Sequence, residues 1–284
     1  MIDKISLNNI SKDYGEFKLG EISFSIPKGY VTGFIGRNGA GKTTTIKSIL
    51  SLINFNSDIF VDGISNKDRK YLQKVGVVMD DAFLGKDWNM ELVNTAMKIG
   101  YDEWNEAVFK NYLDRFGISP KLKVKELSRG MKIKLMLSIA LSHKADTLIL
   151  DEPTSSLDPK MRDEFTDIIQ EYVDNKENTV LFSTHITQDL DAIADFIVFI
   201  DSGKLVDSCS KDDFLEKYRI VKGNLEELKY IESKIILGKK ISSSGFEILI
   251  NSNNLSKINY DLLVEIPNIE TIMILYGRQN EGYN

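Results

Sequence analysis

A glycine-rich turn held between a strand and a helix limits the fold of this chain more than any other feature. Tyr30 to Ile35 reads as a strand, Gly36-Arg37-Asn38-Gly39-Ala40-Gly41-Lys42-Thr43 follows, and helical character begins at Lys42. Strand, loop and helix in that order form a phosphate-binding topology. The glycines let successive backbone N–H groups curl around phosphate oxygens, and the helix behind them turns its positive end toward the anion. Lys42 is placed to neutralise the β and γ oxygens of a nucleotide, Thr43 offers a hydroxyl to Mg2+, and Thr44 completes the candidate contacts of the loop.

The remaining apolar runs are short and β-branched. Val75 to Met79, Thr147 to Leu150, Val180 to Ser183 and Ile197 to Ile200 read as strands buried on both faces, and Lys4 to Leu7 and Ile22 to Ile26 as earlier strands. They predict an α/β domain with a largely parallel sheet and helices packed on both sides. Between Met79 and Lys125 the spacing turns helical: Trp104, Val108, Phe109, Tyr112, Leu113 and Phe116 form one apolar stripe, and Gly117 follows as a stop. That stripe is expected to be core. After Tyr218 the character shifts to a small α+β appendage, with Phe246 to Ile250 a strand and Asn268 the N-cap of a helix through Ile269, Ile272 and Met273. The expected division is therefore residues 1–218 and 219–284, with a helical portion at about 81–140.

Composition narrows the partners. A net charge of -6 over 284 residues argues against wrapping a nucleic-acid backbone, so no nucleic-acid partner is expected. Cys209 is the single cysteine, which rules out an intrachain disulfide and points to a reducing compartment. The start of the chain reads as a strand rather than a secretory leader, and no run of roughly eighteen apolar residues is present. Any service to a membrane is expected to pass through a partner.

A second motif supplies carboxylates. Leu148-Ile149-Leu150-Asp151-Glu152-Pro153 places two of them at the carboxyl end of a buried strand, where ligands gather in open α/β sheets. Asp151 is the candidate for holding Mg2+, and Glu152 for polarising an attacking water once lysine and metal have neutralised the leaving phosphate. His143 has no such setting and is expected at the surface.

Leu127-Ser128-Arg129-Gly130-Met131-Lys132, ahead of that Asp-Glu pair, resembles the signature sequence of ABC ATPases. The resemblance spans about Met1 to Tyr218. It implies a phosphate-loop ABC cassette with a mainly parallel core sheet, an antiparallel N-terminal β-subdomain, a helical insert and a small C-terminal α+β domain. It further implies that Ser128 and Gly130 bind the γ-phosphate held by a second ABC cassette, in a homodimer or heterodimer, so that ATP is sandwiched between two copies. Asp158 in Ser156-Leu157-Asp158 resembles the loop linking the two sites, and His185, after Ser183-Thr184, the histidine that senses the γ-phosphate. Tyr14 resembles the aromatic that stacks on adenine. Where the family usually has a glutamine that contacts the metal, this chain reads Met79-Asp80-Asp81; Asp80 takes the position, with Asp81 the competing register. The activity implied is ATP hydrolysis driving export, by a subunit peripheral to the cytoplasmic face of the cell membrane and docked on a separately encoded transmembrane permease. The alternative is a non-transport ABC ATPase acting on a ribosome, DNA or a soluble scaffold.

Overall fold

Two-sided burial makes strands of the short apolar runs, and their order in space decides which loops meet. The computed structural model describes residues 2–79, 83–258, 262–276 and 278. In chain order, β1 (Asp3–Asp13), β2 (Lys18–Pro27) and β3 (Val31–Ile35) lead to α1 (Lys42–Ile49), β4 (Asn56–Val61), β5 (Ile64–Ser65) and β6 (Val75–Val78). Three helices follow, α2 (Met90–Gly100), α3 (Glu106–Arg115) and α4 (Arg129–Leu141). Then come β7 (Thr147–Asp151), α5 (Pro159–Val173), β8 (Thr179–Thr184), α6 (Gln188–Ile193), β9 (Phe196–Asp201), β10 (Lys204–Ser210) and α7 (Lys211–Lys217). The last elements are β11 (Tyr218–Gly223), α8 (Leu225–Leu228), β12 (Ile236–Ser242), β13 (Gly245–Asn251), β14 (Leu263–Glu265) and α9 (Ile269–Tyr276).

The central sheet has the order β10-β9-β3-β8-β7-β6. All but β10 run parallel; β10 turns back antiparallel on β9. Along each strand the side chains alternate between two cores. Leu148, Leu150, Val180, Phe182, Ile197 and Phe199 enter one, and Ile149, Leu181, Val198 and Ile200 the other. The first core is closed by helices, through residues such as Phe109, Leu135, Ile168, Leu190, Phe214 and Ile272.

The second face carries the antiparallel N-terminal β-subdomain that the resemblance implies, where the strand pattern alone predicts helices on both sides. One helix, α1, covers it through Ile46 and Ile49, and the rest is an antiparallel sheet of order β2-β1-β4-β5 presenting Ile5, Leu7, Ile22, Ile26 and Ile59. A strand pair with one apolar side closes a layer as well as a helix does. The buried Lys4 pairs with Asp62 in the β4–β5 turn of its own sheet and with Asp146, just ahead of β7, so that the second pair ties this sheet to the central one.

The stripe at Phe109 and Leu113 is core, as its spacing predicts, with Phe116 buried just beyond the helix and Gly117 stopping it at a left-handed φ of 65°. Gly76 allows α4 to press on β6: a Cβ there would lie 2.7 Å from Ala140 Cβ. The same close packing overturns the surface placement of His143, which is 1% exposed. Its ring stacks on Tyr101 at 3.9 Å, with Nδ1 2.9 Å from the Ile139 carbonyl oxygen and Nε2 3.3 Å from that of Val75. Its position just past the end of α4, facing β6, is set by a contact between distant segments that its sequence neighbours do not signal.

The C-terminal strands form an antiparallel sheet, β12-β13-β11-β14. Its two faces divide: Tyr218, Ile220 and Leu249 join the large core beside α9, while Val221, Phe246, Ile248 and Ile250 make a small core with Ile231 and Ile235. Asn268 caps α9 as its position predicts, its Oδ1 accepting from Thr271 N at 2.8 Å. Among the described residues no helix is long and apolar enough to cross a membrane.

Candidate active site

Strand order brings three loops to one edge. β8 lies between β3 and β7, with Ile35 paired to Thr184 and Asp151 to Ser183, so the loops leaving these carboxyl ends sit side by side. The loop after β3 wraps on glycines: Gly39 and Gly41 have φ of 79° and 114°, a region that disfavours any residue carrying a Cβ. At Gly41 a Cβ would also stand 2.9 Å from Leu19 Cδ1.

Lys42 is 6% exposed. Its Nζ donates to the carbonyl oxygens of Gly36 at 2.6 Å and Arg37 at 3.4 Å and stands 3.2 Å from Glu152 Oε1. Glu152 itself has a φ of 52°, a left-handed conformation that costs a residue other than glycine about 1–3 kcal/mol. Hydrogen bonds hold the turn: Glu152 N donates to Ser183 O at 3.0 Å and to Ser183 Oγ at 3.3 Å, and the Glu152 carbonyl accepts from Ser155 Oγ at 3.0 Å and from Ser155 N at 3.3 Å. The turn swings the carboxylate off the line of β7 and onto both loops. His185 Nδ1 donates to Glu152 Oε2 at 2.7 Å, and the His185 backbone N–H donates to the same oxygen at 3.3 Å.

Asp151 continues the strand and is almost buried. Thr43 Oγ1 donates to its Oδ2 at 2.8 Å and Ser183 Oγ to its Oδ1 at 2.6 Å. A hydroxyl and a carboxylate side by side at a phosphate loop make a fitting oxygen pair for a hard divalent cation. Among the described residues no group of three His, Cys, Asp or Glu side chains could hold a metal alone. Such a cation would need oxygens from a bound phosphate as well.

Two clefts open here. One of about 790 Å³ is lined by Thr43, Lys47, Arg129, Asp151, Glu152 and His185, among others. A second of about 360 Å³ follows the loop past Arg37, Asn38, Gly39, Gly41, Lys42, Thr43 and Thr44. Gly36 and Ala40 shape the loop from beneath, Ala40 being buried against Gly36.

Other sequence candidates lie elsewhere. Tyr14 is 51% exposed and lines neither cleft; Phe17, three residues on, supplies the aromatic wall of the second. Ser128 caps α4, accepting from Met131 N, and Asp158 caps α5, accepting from Met161 N. Neither they nor Gly130 line the clefts, whereas Arg129 does. Gly130 packs instead toward Leu157 and Met161. Asp80 and Asp81 fall outside the described residues. Sequence reasoning gave a site role to neither Ser183, which holds Asp151, nor Phe17, which lines the smaller cleft; the adenine-stacking reading of Tyr14 stays a proposal. Only the pairing of β7 with β8 exposes the first, and the fold of the β1–β2 turn the second.

The sequence pattern that defines the family described as "ABC transporter" matches residues 19–155. Lantibiotic transport ATP-binding protein SrtF of Streptococcus pyogenes is 33% identical over 231 residues, covering 79% of this chain and 95% of that protein. Bacitracin transport ATP-binding protein BcrA of Bacillus licheniformis is 30% identical over 223 residues, 76% of this chain and 72% of that one. A solved structure of the ATP binding subunit of an ABC transporter shares the fold, with a TM-score of 0.66 at 24% identity over 74% of this chain and 90% of that chain. This chain belongs to the ABC transporter family of ATP-binding proteins. It is an ATPase whose hydrolysis is coupled to transport.

Proposed function

We propose that the chain powers export through a separately encoded transmembrane permease, working in pairs of cassettes at the cytoplasmic face of the cell membrane. The observation that carries the hydrolytic part of this reading is Glu152 held between Lys42 at 3.2 Å and His185 at 2.7 Å on the carboxyl edge of a parallel sheet; the transport relatives support the rest. Lys42 and the N–H groups of the loop from Gly36 to Thr44 hold the β and γ phosphates. Thr43 and Asp151 hold Mg2+, which when bound neutralises the phosphate oxygens. Glu152 orients a water and takes its proton as the water oxygen bonds to the γ-phosphorus and the bond to the bridging oxygen of ADP breaks. His185 meets the γ-phosphate from the neighbouring loop.

Ser128, Gly130 and Asp158 serve the opposite cassette in this reading, which agrees with their absence from the lining of the two clefts, although Arg129 between the first two lines the larger one. Asp80 is assigned to the metal by its position in the sequence alone. The division into a cassette of residues 1–218 and an accessory domain of 219–284 belongs to the same proposal, supported by the small core around Val221 and Ile248 on one face of the C-terminal sheet, whose other face shares the large core through Ile220, Leu249 and α9. The names of the relatives, lantibiotic and bacitracin transport, support a peptide-like cargo.

The test is to capture the native protein from a mild-detergent membrane extract and identify what accompanies it. A multispanning membrane protein is expected. A ribosome or a soluble scaffold in its place overturns the export reading.

A further inference from the structure

The two loops that meet at Glu152 and His185 are joined a second time, inside the core. Two residues beyond Glu152, Thr154 Oγ1 donates to Oδ2 of Asp189, four residues beyond His185, at 2.5 Å. Thr154 is fully buried and the Asp189 side chain is 3% exposed. The other carboxylate oxygen, Oδ1, faces Arg162 Nε at 3.6 Å. Arg162 comes from the first turn of α5, where its backbone N–H donates to the carbonyl oxygen of Asp158. A single carboxylate on α6 thus grips both ends of the loop between Glu152 and α5.

Thr154 donates to one oxygen and the Arg162 guanidinium faces the other. An amide could reverse the first bond, its NH2 donating to Thr154 Oγ1, but it would lose the negative charge that answers Arg162. Burial pushes the Asp189 carboxyl above the usual range, while the Thr154 hydroxyl and the Arg162 charge pull it back. Other polar atoms of these loops, Ser156 Oγ, Arg162 Nε and Thr187 Oγ1, are buried without a hydrogen-bond partner among the described residues. Arg162 Nε therefore acts on Asp189 by charge alone, and Thr154 carries the hydrogen bond between the two loops at this depth. The same loop abuts the start of α4, since a Cβ on Gly130 would meet Leu157 at 3.4 Å and Met161 at 3.3 Å. Asp189 lines neither cleft, so it has no direct route to the nucleotide.

We propose that Asp189 is a positioning residue for ATP hydrolysis, locking the loop after β7 to the loop after β8 so that Glu152 and His185 keep hydrogen-bond distance. This rests on the roles given to Glu152 and His185 above. It assigns the cost of losing Asp189 to the chemical step and not to nucleotide binding. Thr154 belongs to the same device.

The test compares the full chain with Asp189→Asn, Thr154→Val, the double variant and Glu152→Gln, reading kcat per folded molecule, KM for ATP and the melting temperature. Asp189→Asn and Thr154→Val are each expected to lower kcat about 10- to 100-fold, the scale of a catalytic group moved by about 1 Å, with KM within about two-fold of the parent. The double variant is expected to be no slower than the slower single, because both break one link. Unchanged kcat in both singles beside an inactive Glu152→Gln overturns the positioning role and leaves the role of Glu152 standing. Losses that merely follow the folded fraction overturn it too. Full turnover by Glu152→Gln removes the reading on which it rests.

Discussion

Oε2 of Glu152 and Nδ1 of His185 lie 2.7 Å apart although the two residues sit on different loops, and the left-handed turn at Glu152 makes that contact. Removing the charge while keeping the shape isolates its role. Glu152→Gln is expected to lower ATP hydrolysis about 10²- to 10⁴-fold, the usual contribution of a positioned base. ATP binding should survive, and an ATP-bound pair of cassettes should accumulate, visible by size-exclusion chromatography with ATP present. Undiminished turnover would refute the role.

Lys42 is nearly buried and satisfied by the Gly36 carbonyl and Glu152. A phosphate in the loop would meet the only ammonium that lines its narrower cleft among the described residues. Lys42→Ala is therefore expected to weaken ATP binding itself, by about 10- to 100-fold, as the loss of a charge-assisted hydrogen bond predicts. Titration with a fluorescent ATP analogue measures this directly, and unaltered affinity counts against the assignment.

The Thr43 and Asp151 oxygens, 2.8 Å apart, place the metal's contribution at one edge of the cleft. Chelation of divalent cations should stop hydrolysis. Asp151→Asn should raise the Mg2+ concentration for half-maximal rate by at least about ten-fold, since even supporting contacts at metal sites carry that much. Hydrolysis that continues in excess chelator would exclude the metal from the reaction.

His143 links pH to stability. Burial holds its ring below the ordinary value, outweighing the Ile139 and Val75 carbonyls that favour the cation. The unfolded chain protonates near the ordinary histidine value, about 6.5, while the folded chain resists. Stability attributable to His143 is thus whole above about pH 6.5 and is lost as pH falls toward the lower folded value, by at most about 1.4 kcal/mol per pH unit. Denaturant titrations at pH 7.5 and 5.5 should show this slope in the parent and a shallower one in His143→Gln. Equal slopes would mean that the ring does not resist its proton.

The elements of the fold were legible where local physics decides them. The strand at Val31, the loop from Gly36, the Asp151-Glu152 strand end and the α3 stripe all follow from residue type and period, because burial on one or two faces leaves its own spacing. The cover of the second sheet face was legible only through the family resemblance and not from apolar spacing, since a helix and a one-sided antiparallel sheet satisfy the same apolar surface and only the pairing of β1 with β2 and β4 chooses. His143 went astray for a related reason. Its burial is set by the approach of α4 to β6 over Gly76, a contact between segments far apart in the chain.

The chemistry divides along the same line. Sequence alone determined which groups are present: a lysine behind a glycine loop, an Asp-Glu pair at a strand end and a histidine after another strand, each readable because its chemistry needs that residue beside that backbone. Tertiary structure alone decided that these groups meet, because β8 lies between β3 and β7 and a left-handed Glu152 turns its carboxylate toward both neighbours. It alone also showed Ser183 bound to Asp151 and Thr154 bound to Asp189. Residues about thirty positions apart carry no mutual signal in a single sequence; the hydrogen bonds between parallel strands put them within 3 Å.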